Sequence, residues 1–290
     1  MNKINPKELI EKNPVFESLF APLYFKAYEI YRENPIIIDS KAVEILKALD
    51  YDFSYFEKNK SGQFLIPVRT KILDEQVTKF ISGTTNPVVI NFGAGLDTRY
   101  SRLQTQKCIC WYDIDLPEVI DLRSHFFKNT DKNKLIGKSV LDFSWINEIN
   151  MEPSFSYLFV VEGLLMYFSE SEVAELFSKV KKTFASSIML CEVFHTKLVN
   201  YHLKNKNNTI SFKWGIDDTK ELELMHPGIV VEGEWKIYEY YKNRQKLFER
   251  LLGKILPNFK NLIKIVKICF DVMGKQNLSE LGTQNHNRFG

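Results

Sequence analysis

Cysteine pairs are scarce in this sequence, which excludes the protein classes that depend on them. The chain has 290 residues and only four cysteines, and none forms a Cys-x-x-Cys pair. A chain of this length can bury a substantial core without disulfide bonds, so we expect reduced, buried thiols and no thiolate metal site. Cys108 and Cys110 lie in an alternating run, which predicts both thiols on one face of a strand.

Long apolar runs and charge of one sign are lacking too. No run approaches the roughly 18 apolar residues of a membrane span, and the N-terminus lacks the apolar core of a signal peptide. The 39 basic and 36 acidic residues leave a net charge of +3, which is too even to indicate nucleic-acid binding. The five histidines show no metal-ligand spacing. We therefore expect a cytoplasmic protein without a metal and without a nucleic-acid or membrane partner.

The N-terminal part, residues 1–82, has the pattern of a helical cap. Asp39 and Ser40 can cap a helix whose apolar residues follow a three-residue spacing. Pro67 is expected to open a further helix that runs toward Phe80. A cluster of turn-forming residues at 82–87 then ends the helical region.

Residues 83–193 change to a pattern of short apolar runs separated by helical segments. The helical segments are 117–127 and 169–184. Apolar strands that alternate with helices predict an α/β fold with a mostly parallel sheet covered on both faces. The predicted strands are 88–92, 108–113, 135–140, 157–161 and 187–193.

The C-terminal part has a weaker pattern. Residues 194–262 are expected to form an insertion that acts as a substrate lid, with a polar, mobile stretch at 200–211 and a helical rhythm from Trp235 to Leu252. Residues 263–270 favour a strand slightly over a buried helix, so 263–290 is expected to end the sheet. The whole chain, 1–290, is predicted to be one domain.

A glycine turn follows the first predicted strand. Gly93 and Gly95 permit a left-handed backbone and a close approach of a ligand. A dinucleotide-binding turn would have a third small residue where this chain has Thr98, and Asp97 would place a negative charge beside a pyrophosphate. The turn therefore fits a cofactor without phosphate groups better than a dinucleotide.

Acidic residues follow the next three predicted strands. Asp115 lies twenty residues after Gly95, where a carboxylate can accept both ribose hydroxyls; it could equally cap the next helix. Asp142 with Phe143 can contact an adenine, or Asp142 can simply begin a turn before Trp145. Glu162 can reach an amino group of a ligand, or serve as a structural acid at a strand end. The order Gly-x-Gly, Asp, Asp, Glu on four successive strands indicates one site at the carboxyl edge of the sheet.

With these motifs in place, the sequence resembles the leucine carboxyl methyltransferase family, including its bacterial O-methyltransferases of polyketide biosynthesis. The stretches that carry the resemblance are Asp39-Ser40-Lys41-Ala42, Arg69-Thr70, Asn91 to Arg99, Trp111 to Ile120 and Val161 to Tyr167. The resemblance is specific from Arg69 to about Phe184. It implies a Rossmann-like class I methyltransferase sheet that binds S-adenosylmethionine across its carboxyl edge.

The resemblance also implies a role for each matching residue. Arg69 pairs with the methionine carboxylate of the cofactor, and Gly93 and Gly95 lie against its methionine part. Asp115 holds the ribose, Asp142 and Phe143 meet the adenine, and Glu162 reaches the methionine amino group. Asp39 is a further candidate for the site.

The resemblance implies methyl transfer to an oxygen of a small-molecule acceptor, which depends mainly on positioning. A carboxylate acceptor is already ionised, whereas a hydroxyl needs a base. Tyr167 and His195 are candidates for that base only through their positions near strand ends. Three alternatives stay open: carboxyl methylation of a protein C-terminus, cofactor binding without turnover, and nicotinamide-dependent oxidoreduction. The sequence does not indicate the oligomeric state.

Overall fold

Seven strands form one sheet in the computed structural model, which describes residues 3–59, 61–204, 211–256 and 258–270. The spatial order is β3-β2-β1-β4-β5-β7-β6. Strands β1 to β5 run parallel, and β7 lies antiparallel between β5 and β6. The mostly parallel sheet is the one that the sequence predicts. The strands are β1 (Pro87–Phe92), β2 (Cys110–Asp115), β3 (Asn133–Gly137), β4 (Ser156–Val161), β5 (Ile188–Phe194), β6 (Ile229–Lys236) and β7 (Ile263–Phe270).

The helices of the described residues cover the sheet and build the N-terminal region. The Ser169 hydroxyl and the Glu172 carboxylate form a capping box that begins the helix between β4 and β5. The helices are α1 (Lys7–Lys12), α2 (Phe20–Glu29), α3 (Ser40–Ala48), α4 (Ser54–Glu57), α5 (Gly62–Gly83), α6 (Arg99–Arg102), α7 (Pro117–Ser124), α8 (Glu170–Thr183), α9 (Thr196–Lys204), α10 (Glu221–Met225) and α11 (Leu247–Ile255).

The core lies on both faces of the sheet because alternate residues of each strand point to opposite faces. In β1, Val88, Ile90 and Phe92 pack with α8 residues on one face, whereas Val89 packs with α5 residues on the other. Helices α2 and α3 form a third apolar cluster around Phe20. A helix layer therefore covers each face, as the apolar strands predict.

The carboxyl ends of the central strands lie level with one another. Phe92 at the end of β1 pairs with Ile114 of β2 on one side and Val161 of β4 on the other. The chain order reverses between β1 and β4, because β2 and β3 extend the sheet on one side and β4 and β5 on the other. A crevice for ligands forms at such a reversal point in open α/β sheets.

Several predicted boundaries are wrong by a few residues. Helix α5 begins at Gly62, so Pro67 lies inside it instead of opening it; proline removes only one backbone hydrogen bond near a helix start. Strand β2 begins at Cys110, so Cys108 is buried but lies outside the strand. Strand β3 ends at Gly137, because the chain turns before Val140.

The helical rhythm predicted from Trp235 to Leu252 is wrong in its first half. Trp235 lies in β6, which adds an edge strand to the sheet from within residues 194–262, and α11 begins only at Leu247. Aromatic and charged residues alternate here at a spacing that also suits a strand.

The strand slightly favoured at 263–270 is confirmed as β7. Residues 205–210 and 271–290, which belong to the predicted polar stretch and sheet end, lie outside the described residues.

In the described parts of the chain, no helix combines the length and apolar character that crossing a bilayer requires. None of the four cysteines, all of which belong to the described residues, forms a disulfide bond.

Candidate functional site

The turn after β1 has a backbone that only glycine adopts easily. Gly93 has φ +64° and Gly95 has φ +47°. A Cβ atom at Gly93 would lie 3.1 Å from Leu164, and one at Gly95 would lie 3.0 Å from Leu19. The amides of Gly93 and Ala94 donate to the carbonyl of Ile114, which ties the turn to the end of β2. The two glycines therefore form a tight wall without side chains.

Asp115 closes the turn from the end of β2. Its Oδ2 accepts a 2.7 Å hydrogen bond from the amide of Gly95, and its Oδ1 accepts one of 2.7 Å from the amide of Leu116. Loss of solvation raises the pKa of Asp115 to about 6, although these amides oppose the rise. Leu116, not Asp115, occupies the cap position of α7. The capping alternative for Asp115 is therefore not observed.

Arg99 joins the turn to the end of β4. Its guanidinium is fully buried and lies 2.5 Å from Asp97, 2.6 Å from Glu162 and 2.8 Å from Asp74. Asp97 also receives a 3.2 Å hydrogen bond from Lys26 of α2. One arginine thus connects α5, the turn after β1 and the turn after β4 through charged hydrogen bonds.

Arg69 of α5 connects β4 to β5. Its Nε donates to Glu162 at 2.8 Å, and its Nη1 donates to Glu192 of β5 at 3.0 and 2.8 Å. Among the hydrogen bonds of the described residues, none uses Nη2 of Arg69. Arg69 is 8% exposed, so its guanidinium is buried between these two carboxylates.

Arg123 of α7 holds the glycine turn through its backbone carbonyls. It donates to the carbonyl oxygens of Gly95 at 3.0 Å and Asp97 at 2.7 Å. The same guanidinium lies 2.6 Å from Asp113 of β2, and both side chains are fully buried. Asp113 also accepts a hydrogen bond from Asn91 of β1. The turn is therefore held by its backbone carbonyls as well as by its amides.

These groups form one continuous buried network with a formal charge of −1, from five basic and six acidic side chains. Burial opposes ionisation of Asp97, but Arg99 and Lys26 hold its pKa well below the usual range. Burial opposes ionisation of Glu162 too, and Arg69 and Arg99 lower its pKa to about 2. The members are Lys26, Asp39, Arg69, Asp74, Asp97, Arg99, Arg102, Asp113, Arg123, Glu162 and Glu192.

A cleft of about 520 Å³ opens over this network. The glycine turn lines it together with the charged side chains of Lys26, Arg69 and Glu162. Aromatic side chains, among them Tyr55 and Phe56, line it as well. One cleft thus combines the charged groups at the strand termini with apolar and aromatic groups.

An aromatic cluster forms one wall of the cleft, which we call the aromatic wall. Phe212 lies at its centre, with ring centroids 5.6 Å from Tyr167, 5.3 Å from Phe194 and 4.1 Å from His202. All four rings line the cleft. Burial lowers the pKa of His202 below its ordinary value, which favours the neutral imidazole.

The structure brings most of the predicted site residues together. Arg69, Gly93, Gly95 and Glu162 line the cleft, and Asp115 is bonded to the turn that lines it.

Asp142 and Phe143 do not line this cleft. Asp142 is exposed and caps a short 3-10 helix through the amide of Ser144, which is the structural alternative for this residue. Phe143 packs on the core, with Lys179 5.6 Å above its ring. The contact of Asp142 and Phe143 with an adenine stays a prediction.

The three remaining candidates, Asp39, Tyr167 and His195, lie in different surroundings. Asp39 caps α3 and accepts from Thr98 and Arg102, so it supports the network from outside the cleft. Tyr167 lines the cleft, but burial raises its pKa, which makes it a poor base. His195 is buried away from the cleft lining, where its Nδ1 lies 3.0 Å from Asp217.

Sequence reasoning missed Arg99, Lys26, Glu192 and His202. Arg99 is the last residue of the glycine-turn motif, but its partner Asp74 lies 25 residues earlier, on α5, so the motif gives no sign of the pair. Lys26 lies within the aromatic stripe of α2, where a buried lysine has no sequence signal. A glutamate inside the apolar run of β5 was the one available signal, because a charge in a buried strand needs a partner.

Comparison with known families supports the resemblance that the motifs indicate. A family model described as leucine carboxyl methyltransferase matches residues 24–181, which is more than half of the chain. The match includes the glycine turn, Arg69, Asp115, Asp142 and Glu162, and ends within α8.

Two curated proteins are similar over most of their length. The tetracenomycin polyketide synthesis O-methyltransferase TcmP of Streptomyces glaucescens is 28% identical over 80% of this chain and 86% of its own. The S-adenosyl-L-methionine-dependent methyltransferase dpfgK of Gibberella zeae is 25% identical over 73% of this chain and 79% of its own.

Among solved structures, the N-methyltransferase NodS from Bradyrhizobium japonicum WM9 superposes with a TM-score of 0.47 and 9% identity. The match covers 71% of this chain and 97% of NodS.

Replacing Arg123 tests whether the glycine turn depends on the network. We expect Arg123→Met to lower the free energy of unfolding by about 3–5 kcal/mol, because it leaves the buried Asp113 without its cation. The additional substitution Asp113→Asn is expected to restore part of the loss. Urea denaturation measures both, with the exposed Lys128→Met as control. A loss no larger than that of the control would show that the pair does not stabilise the turn.

Proposed function

The chain belongs to the leucine carboxyl methyltransferase family, and on this basis we propose that it transfers a methyl group from S-adenosylmethionine to an oxygen of a small metabolite. The observation that carries the proposal is the cleft itself. It joins a glycine turn and a negative network at the β1 and β4 ends to an aromatic wall.

The residues at the polar end fit the methyl donor. Gly93 and Gly95 line the cleft without side chains, so the methionine part can approach their backbone closely. Each carboxylate oxygen of Asp115 accepts one amide and has a further lone pair for a ribose hydroxyl. Arg69 can offer Nη2 to a carboxylate while Glu162 accepts from an amino group. The carboxylate of Glu162, which Arg69 and Arg99 hold ionised, suits the positively charged amino group of the donor.

The adenine end of the proposed site lies on the β3 side of Asp115. Asp142 follows β3, which is the neighbour of β2 in the sheet, and we propose that it contacts the adenine together with Phe143. When bound, the donor supplies an electrophilic methyl group; the protein's own contribution is to position the acceptor oxygen and to exclude water.

The acceptor end favours an aromatic molecule with a neutral oxygen. Tyr167, Phe194 and Phe212 offer ring faces and edges for stacking. Among the described residues of the cleft, the lysines and arginines are Lys26 and Arg69, and both already pair within the network. Among these described residues, a carboxylate acceptor such as a protein C-terminus would find no further cation. We therefore favour a hydroxyl on an aromatic metabolite over a peptide carboxylate.

A hydroxyl acceptor needs a base, and we propose His202 for that role because it lines the cleft. Its imidazole could take the hydroxyl proton of the acceptor, whose oxygen would receive the methyl group that the bound donor supplies. His195 and Tyr167 are less suited, because the first lies away from the cleft lining and the pKa of the second is raised.

Incubation with labelled S-adenosylmethionine tests the proposal. The acceptors should include polycyclic phenols, aromatic carboxylic acids and a peptide with a C-terminal leucine. We expect label on a phenolic oxygen. Label on the peptide terminus would establish the protein-modifying alternative, and donor binding without transfer to any acceptor would favour a protein without turnover.

Asp115 should control the affinity for the cofactor. We expect Asp115→Ala to weaken adenosylhomocysteine binding by about 1–3 kcal/mol, because ribose hydroxyls would lose their acceptor. Binding requires the ionised carboxylate, and its pKa is about 6, so the affinity of the wild type should fall as the pH is lowered from 7 to 5. In Asp115→Asn this fall should vanish. Calorimetry measures both, with the exposed Glu118→Ala as control.

His202 should affect turnover and not cofactor binding. With a phenolic acceptor, we expect His202→Ala to lower kcat by about 10²- to 10⁴-fold, the usual contribution of a general base. Adenosylhomocysteine affinity should stay unchanged. Initial-rate kinetics at saturating donor measure the effect, and Phe212→Leu is a control for lost packing. Unchanged kcat in His202→Ala would show that the imidazole is not the base.

A further inference from the structure

Helix α11 carries a stripe of exposed apolar side chains. Leu247 is 71% exposed, Phe248 67%, Leu251 46% and Ile255 70%. Leu247, Leu251 and Ile255 follow one another at four-residue spacing, which places them on one face of the helix. Side chains of this size are rarely exposed in such a continuous row on a surface that contacts only water.

A row of cations runs beside the apolar stripe. Lys246, Arg250 and Lys254 are exposed, each directly precedes one member of the stripe, and Lys242 precedes them by four residues. The helix has one acidic residue, Glu249, which is buried and accepts from the amide of Lys246. The exposed surface of α11 is therefore apolar on one side and wholly basic on the other.

The opposite face fixes α11 to the rest of the protein. Glu249 lies 3.4 Å from Ser61 at the start of α5, and Gly253 faces the ring of Phe259. Phe259 in turn packs on Tyr238, with ring centroids 4.5 Å apart. The helix cannot bury its stripe by turning over without breaking these contacts.

The charge pattern decides between the possible occupants of this surface. A second copy docked face to face would bring one row of cations against another, which like-charge repulsion opposes. Protein interfaces usually have an apolar centre ringed by polar residues, whereas α11 has two parallel stripes. Parallel apolar and basic stripes are the arrangement of helices that lie in the plane of a lipid surface. Although the even overall charge and the lack of a long apolar run lead us to expect no membrane partner, we propose that α11 binds the surface of a membrane that contains anionic lipids.

The stripe meets the requirements of that surface. Leu247, Phe248, Leu251 and Ile255 would enter the boundary between headgroups and acyl chains. Arg250 and Lys254 can follow the apolar layer with their alkyl stems and reach the anionic headgroups with their charged ends, whereas the Lys246 ammonium also lies 3.4 Å from the Ser61 hydroxyl. The same helix contacts Ser61, two residues after Asn59 of the cleft lining, so the bound surface would lie beside the cleft. The proposal does not depend on the identity of the methyl acceptor.

Vesicle co-sedimentation of the full chain tests the proposal. The vesicles are pure phosphatidylcholine and phosphatidylcholine mixed with phosphatidylglycerol. We expect binding to the mixed vesicles and little to the neutral ones. Raising the salt from about 0.1 M to about 1 M should weaken binding, because the screening length falls from about 10 Å to about 3 Å.

Two variants test the contributions of the basic row and the apolar stripe separately. We expect Lys246→Glu/Arg250→Glu/Lys254→Glu to weaken binding to mixed vesicles at least about tenfold. Leu247→Ser/Leu251→Ser/Ile255→Ser should weaken it as well. The matched control, Lys220→Glu/Leu224→Ser, changes an exposed cation and an 85% exposed leucine on the unrelated helix α10. It should bind like the wild type.

Circular dichroism and adenosylhomocysteine affinity, unchanged in all three variants, establish that they fold. Absence of wild-type binding to mixed vesicles would overturn the proposal and favour an acidic protein partner. Binding that the α11 variants retain would also overturn it. A dimer in sedimentation velocity that only the α11 variants lose would assign the stripe to a second copy instead.

Discussion

The site depends on the buried pairing of Arg99 with Asp74, Asp97 and Glu162. A fully buried guanidinium is costly unless several carboxylates surround it, and these three come from α5, the turn after β1 and the turn after β4. The arginine therefore stabilises the fold only when all three elements are in place. Arg69 repeats this arrangement one strand further along, between Glu162 and Glu192.

The same pairing determines the chemistry of the cleft. Because Arg69 and Arg99 hold Glu162 ionised, a carboxylate faces the cleft at the end of β4, where the chain order of the sheet reverses. Removal of either arginine would disturb both the fold and the charge presented to a ligand. Structural and binding roles thus coincide at this edge of the sheet.

Much of the fold could be predicted from local pattern, because short apolar strands alternate with amphipathic helices. The glycine turn and Glu162 could be placed for the same reason, since they follow apolar runs directly. Asp142 could not be placed in this way, because β3 ends at Gly137 and a loop separates that strand end from Asp142. Trp235 could not be assigned either, since its neighbourhood suits both helix and strand.

The network itself lay beyond sequence reasoning for a physical reason. Arg99 meets Glu162 across 63 residues and Arg69 meets Glu192 across 123, and such pairs follow from the folded topology and not from spacing along the chain. His202 was missed because its position in the cleft depends on how α9 returns over the sheet beside Phe212.

We propose that the turn after β1, Asp115 and the Arg69–Glu162 pair together form one binding site for the methyl donor. A crystal structure of the complex with adenosylhomocysteine decides whether they do. We expect the ribose hydroxyls within hydrogen-bond distance of Asp115 and the carboxylate of the amino-acid part at Nη2 of Arg69. Density for the ligand outside this cleft, or with its ribose away from Asp115, would show that these residues do not form the site.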